Sequence, residues 1–155
     1  MKLGVLFLDK ISITVAIISA AISMYVGIIQ HIREKKINQT NLESIYFNDI
    51  YKEFLIKKIP EARKYIHVKN DGSVIGIEKM IEELNTIRQD SLYYHYNDSK
   101  FFEKLKSDLQ DLEDYLINKS NKKLSSEEHS EFYENVKIKL MKIYKTINNK
   151  FLGTK

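Results

Sequence analysis

From Ile11 to Ile29 the chain runs for nineteen consecutive residues without a charge. At about 1.5 Å of rise per residue, a helix of about 20 apolar residues crosses the ~30 Å hydrocarbon core of a bilayer. The modest domain that follows could bury such a segment less cheaply than lipid can. The chain therefore reads as a membrane protein with one span.

A cleaved secretory signal is the rival reading. It would present Lys2, an apolar run and a small-residue cleavage site in that order, with Ala21-Ile22-Ser23 loosely filling the last role. A retained anchor fits better, because Asp9 and Lys10 interrupt the run and it stays apolar through Tyr25, Val26, Ile28 and Ile29. Arg33, Lys35 and Lys36 then close the span, against Lys2 and Lys10 ahead of it, a slight positive-inside bias towards a cytoplasmic C-terminal domain. The absence of cysteine agrees, since small exported domains often depend on disulfides. The expected layout is a span with its basic flank over residues 1–36, in the inner (plasma) membrane, and a cytosolic domain over residues 37–155.

Projected at roughly 100° per residue, Asp9, Ser12, Ala16, Ser19, Ala20, Ser23, Gly27 and Gln30 gather on one side of the span. Ile11, Val15, Ile18, Ile22, Tyr25 and Ile29 lie opposite. Small residues four apart let helices approach closely where lipid gives them no hydrophobic reason to associate. Asp9 on the same stripe is expensive in hydrocarbon unless it faces a bundle interior, water or the membrane surface. Three readings stay open: an interfacial Asp9-Lys10 pair beside incidental small residues, self-association without a pore, and a polar-lined conducting oligomer.

Beyond Lys36 the composition is that of one small globular domain. One proline and five glycines in the whole chain, with apolar residues recurring at three and four, predict an all-α fold: the N-terminal transmembrane helix followed by a compact bundle of about five helices. Thr40-Asn-Leu-Glu43 has the form of a capping box opening a helix to about Lys58. Pro60 suits the first position of a short successor. Asn70-Asp71-Gly72-Ser73 reads as a turn before a helix from Val74 to Tyr96, Asn97-Asp98-Ser99 as a restart, and Ser125-Ser-Glu-Glu128 as a second capping box. Phe102, Leu105, Leu109, Leu112 and Leu116 form a three-four seam, suited to a bundle core or a subunit contact. In the last helix Phe132, Val136, Leu140, Ile143, Ile147 and Phe151 form one apolar stripe.

Lysines surround that last stripe. From Phe132 onward there are six, against the single acid Glu134. Lys139, Lys142, Lys145 and Lys150 are the candidate ligand-binding residues, since such a surface collects phosphates or anionic headgroups without reading sequence. A merely solvated helix face is the plainer account, as no arginine fork is present for bidentate phosphate binding. Lys57, Lys58, Arg63, Lys64 and Lys69 form a second basic segment.

Along the apolar side of Ile77, Met80, Ile81, Leu84 and Ile87 fall two polar residues, Arg88 and His95, about two turns apart. A buried arginine needs a partner, and an imidazole beside it is open to a shifted pKa and proton transfer. The segment Arg88-Gln-Asp-Ser-Leu-Tyr-Tyr-His95 resembles the arginine-x4-6-histidine motif of the HEPN ribonucleases, helical bundles that pair two such motifs across a dimer. That resemblance implies a membrane-tethered ribonuclease with Arg88 and His95 as catalytic residues. The alternative is structural, with Arg88 snorkelling and His95 among Tyr93, Tyr94 and Tyr96.

Other chemistry has no pattern to support it. The sequence offers no phosphate-cradling glycine loop, no cysteine or paired-histidine spacing for a metal, and no nucleophile with a recognisable base. Glu127-Glu128-His129 carries metal-capable side chains, but neighbours on a helix splay apart. No cofactor and no metal are expected, and the chain reads as a non-enzyme.

A short N-terminal span with a small-polar stripe, Ser12 to Gly27, joined to a compact basic helical domain is similar to small membrane effectors of bacterial antiphage systems. The arrangement resembles the effector family of the Hailong system. That resemblance implies an oligomeric membrane channel held off by a DNA oligomer, with a companion nucleotidyltransferase as its source. The expected partners are other copies of the chain, the bilayer, and a single-stranded nucleic acid or nucleotide. The HEPN-like ribonuclease and a membrane-anchored adaptor that binds a protein are the alternatives.

Overall fold

A computed structural model describes residues 2–153, with side chains from residue 14 onward. The fold is all-α apart from one two-stranded hairpin. The described chain divides into two compact units, one up to Glu43 and one from Ser44.

Helix α1 spans Lys2–Tyr46 without interruption. The helical run beginning at Thr14 is long and apolar enough to cross a membrane. The first expected capping box does not form. Thr40 Oγ1 instead donates to the carbonyl of Lys36, 2.9 Å away and four residues back. A capping box satisfies amide protons orphaned at a helix start, but here neither glycine nor proline stops the preceding helix, so residues 40–43 already have carbonyl partners.

Two π-helical turns follow, Phe47–Tyr51 and Phe54–Lys58, and then α2, Ile59–Tyr65. Pro60 lies in the first turn of α2, where its missing N–H matters least. In the wider turn before it the Ile59 amide bonds five residues back to Phe54. Such widening relieves the clash between a proline ring and the carbonyl four residues upstream.

The segment expected to open one long helix forms a hairpin first. Strands β1, His67–Val68, and β2, Val74–Ile75, pair antiparallel, with His67 opposite Ile75 and Val68 opposite Val74. The Gly72 amide bonds the Lys69 carbonyl at 2.9 Å, the Lys69 amide bonds the Ser73 carbonyl at 2.9 Å, and Gly72 has φ +82°. This is the three-residue loop in which a left-handed glycine closes the turn. Two tethers hold the hairpin. The Leu124 amide donates to the Gly72 carbonyl at 2.9 Å, and the Val68 amide donates to the Tyr133 hydroxyl at 3.1 Å.

Helix α3, Glu78–Asp90, and the short α4, Leu92–Asn97, replace the single helix expected through Tyr96. Ser91 marks the break. Its hydroxyl donates to the Ile87 carbonyl at 2.7 Å, so its proton is engaged and the buried Tyr51 hydroxyl, 2.8 Å away, must be the donor to Ser91. Burial pushes the Tyr51 phenol far above its usual pKa, which keeps it a donor. Helix α5, Ser99–Ser120, starts at Asp98, whose carboxylate accepts from the Phe101 amide at 3.1 Å. Helix α6, Ser126–Phe151, starts with the expected capping box of Ser125 and Glu128. Five α-helices thus follow α1 among the described residues.

The three-four seam of α5 is a bundle core. Leu105, Leu109, Leu112 and Leu116 are buried together with Met80, Leu84 and Ile87 of α3 and with Phe132, Val136, Leu140, Ile143 and Ile147 of α6. Each such side chain contributes about 1.5–3 kcal/mol by leaving water.

Candidate functional site

Every residue from 14 to 42 is exposed, including Val15, Ile18, Ile22 and Ile29. Regular helix geometry places Ala16, Ser19, Ala20, Ser23 and Gly27 along one side. A methyl group added at Gly27 would meet nothing within 4 Å. The side chains of Asp9 and Ser12 lie outside the described residues.

Arg88 and His95 are not brought together. Helix α3 ends between them, and among the described residues no hydrogen bond or ion pair joins them. Arg88 is clamped to Glu113 of α5, with further bonds to the Asn85 side-chain oxygen and, at 3.5 Å, to that of Gln110. This partly buried ion pair staples α3 to α5. His95 is half exposed, its Nδ1 lying 3.8 Å from Glu103, and its ring meets Phe102 edge-on at 5.1 Å. A catalytic pair needs both groups aimed at one reacting atom. Here each answers a different acid on α5.

The lysines divide by partner. Lys139 reaches Asp111 at 2.6 Å and lies over the Tyr115 ring at 5.2 Å, while Lys142 approaches the other Asp111 oxygen at 3.4 Å. Lys150 reaches Asp98 at 3.0 Å. Lys145, of the same helix, is exposed. The charge of α6 is therefore partly answered, by Asp111 of α5 and by Asp98 at its N-cap, while Lys137 pairs with Glu134 of its own helix.

The sequence reading missed a second polar cluster on these helices. Asp108 is only 4 % exposed, and its carboxylate accepts from Lys104 Nζ and from the Thr146 hydroxyl, both at 2.6 Å. The signal was present, because Phe101, Leu105, Asp108 and Leu112 follow four-three-four spacing, which puts a carboxylate on a core-facing row. No group of three or more histidines or acids that could hold a metal lies among the described residues.

Two of these carboxylates set an acid limit. The Lys139 hydrogen bond, with Lys142, lowers the pKa of Asp111 against the opposing cost of burial. At Asp98 burial raises the pKa, but the Lys150 hydrogen bond and the Phe101 amide outweigh it and the net shift is downward. A carboxylate depressed in the folded state stabilises it above the ordinary aspartate value of about 3.9, and that stabilisation is lost as pH falls through the folded value. Urea midpoints of the full chain in detergent should therefore fall below about pH 4, and Asp98→Asn with Asp111→Asn should remove part of that slope. An unchanged acid slope in the double variant would contradict these assignments.

Comparison with protein-family models, curated proteins and solved structures finds no match to the chain.

Proposed function

We propose that the chain is a single-span membrane effector that assembles with copies of itself, permeabilises the membrane, and is held in check by an anionic ligand on its helical domain. The observation that carries this reading is an apolar helical run from Thr14, long enough to cross a membrane, with each residue from 14 to 42 exposed. An apolar helix with no intramolecular burial must find lipid or other helices, and its small-residue side suits helices while its β-branched side suits lipid. Antiphage defence, in the manner implied by the resemblance to Hailong effectors, is the setting that joins a membrane-damaging assembly to a nucleotide-like signal.

The ribonuclease reading is the weaker one, because Arg88 is already held by Glu113 and His95 stands apart from it. Overproduction of the full chain should depolarise the inner membrane before any RNA is degraded. Deletion of residues 1–36 should abolish depolarisation, whereas His95→Ala should leave it intact, since acid-base catalysis depends on the imidazole and membrane insertion does not. RNA breakdown that precedes depolarisation and is lost in His95→Ala would overturn the proposal in favour of the nuclease.

A further inference from the structure

We infer that the junction between the start of α5 and the end of α6 is a binding pocket for a phosphate monoester. The pocket is a solvent-open depression of about 370 Å³, lined by Lys100, Lys104 and Lys150, with Phe101, Thr146, Asn149 and Asp98 between them. Ligand sites of proteins generally run from about 300 to 1,000 Å³, so this one has room for one phosphate-bearing headgroup or a single nucleotide.

Its charges are arranged unequally. Lys150 is held by Asp98 at 3.0 Å and Lys104 by the buried Asp108 at 2.6 Å, whereas Lys100 is exposed, makes no hydrogen bond or ion pair among the described residues and acts on Asp98 only through its charge. The pocket wall therefore carries an excess of positive charge with two of its three ammonium groups already fixed in place. Fixed donors lose less side-chain entropy on binding an anion than free surface lysines do. The Ser99 and Lys100 amides belong to the first turn of α5, where N–H groups lack helical partners and the helix dipole favours negative charge.

The charge on the ligand follows from the acids. A carboxylate would only duplicate what Asp98 supplies to Lys150, so it gains little by entering. A phosphate monoester brings nearly two charges at neutral pH and three acceptor oxygens. It can engage Lys100 and Lys104 together while Lys150 keeps Asp98, and the Thr146 and Asn149 side chains provide a polar wall beside it.

This inference deepens the ligand half of the proposed function and does not depend on membrane permeabilisation. The same chemistry is offered by a free nucleotide and by a phosphatidic acid headgroup, which the test separates. The full chain, in detergent or in phosphatidylcholine bilayers with and without phosphatidic acid, is titrated at low salt with inorganic phosphate and with AMP, and amine labelling of Lys104 and Lys145 is followed by mass spectrometry. Saturable protection of Lys104, but not Lys145, by phosphate and AMP identifies the free-phosphate source. Protection only in phosphatidic acid bilayers identifies the lipid source.

Lys100→Glu should raise the concentration needed for protection at least about tenfold, because it replaces an attracting charge on the pocket wall with a repelling one while leaving the Lys150–Asp98 and Lys104–Asp108 pairs in place. Lys145→Glu, an equal change of net charge on a residue outside the lining, should leave it unchanged. Absence of protection by every probe, or equal loss in both variants, would overturn the pocket. Protection in a chain that never depolarises a membrane would leave the pocket standing and sink the effector reading.

Discussion

Gly76→Ala should destabilise the helical domain by about 2–5 kcal/mol, read as a lowered urea midpoint of the full chain in detergent. Gly76 joins β2 to α3 with φ +74°, a left-handed conformation that costs a residue with a Cβ about 1–2 kcal/mol. Sterics add to this. A methyl group built on Gly76 overlaps the backbone carbonyl of Tyr65 at the end of α2, so main chain rather than a flexible side chain would have to yield. Overpacking of that kind costs about 1–3 kcal/mol. Gly153→Ala is the matched control, since Gly153 also has positive φ, +61°, but its Cβ would enter open space. A Gly76→Ala effect no larger than that of Gly153→Ala would show that the approach of Tyr65 to this turn is not rigid.

Gly76 also explains where the sequence misled. Val74 and Ile75 read as the first turn of a helix because apolar spacing continues smoothly into Ile77, Met80 and Ile81. Two-residue strands are too short to show alternation, and the hairpin forms because the turn closes on Gly72 and is then tied to Leu124 and Tyr133, residues far along the chain. Those tethers are tertiary and leave no local pattern. The same holds at Ser91, where a buried hydrogen bond from Tyr51, forty residues away, marks a helix break in a segment that otherwise looks continuous. By contrast the seam of α5, the stripe of α6, the restart at Asn97-Asp98-Ser99 and the Ser125–Glu128 capping box were legible, since each depends on spacing within a turn or two.

The candidate site was legible as composition but not as pairing. Counting lysines after Phe132 pointed to α6, yet which ammonium groups already have partners depends on where Asp98, Asp108 and Asp111 fall when α5 packs against it. For Arg88 and His95 too, spacing does not show the partners: a helix break falls between them and each meets its own acid on α5, Glu113 and Glu103.

Gly27→Ile and Ala20→Ile should each weaken self-association of the full chain in detergent or bilayers by at least about tenfold, which corresponds to ~1.4 kcal/mol. Within one chain a Cβ at Gly27 meets nothing within 4 Å, and Ala20 is exposed, so neither isoleucine damages folding of the helix that carries it. Glycine is also a poor helix former in water, and replacing it does not weaken an isolated helix. Any lost assembly must then come from contact between copies, where close backbone approach is the source of dispersion and hydrogen-bond gain in lipid. Ile18→Ala and Ile22→Ala change side-chain volume by as much as Ala20→Ile does, on the opposite, β-branched side, and should change association little. If the two sides respond equally, the small-residue side is not an interface, and the exposed span then serves only to hold the helical domain at the membrane. Depolarisation measured in the same variants would separate those outcomes, because an assembly that conducts must lose conductance in step with its oligomer.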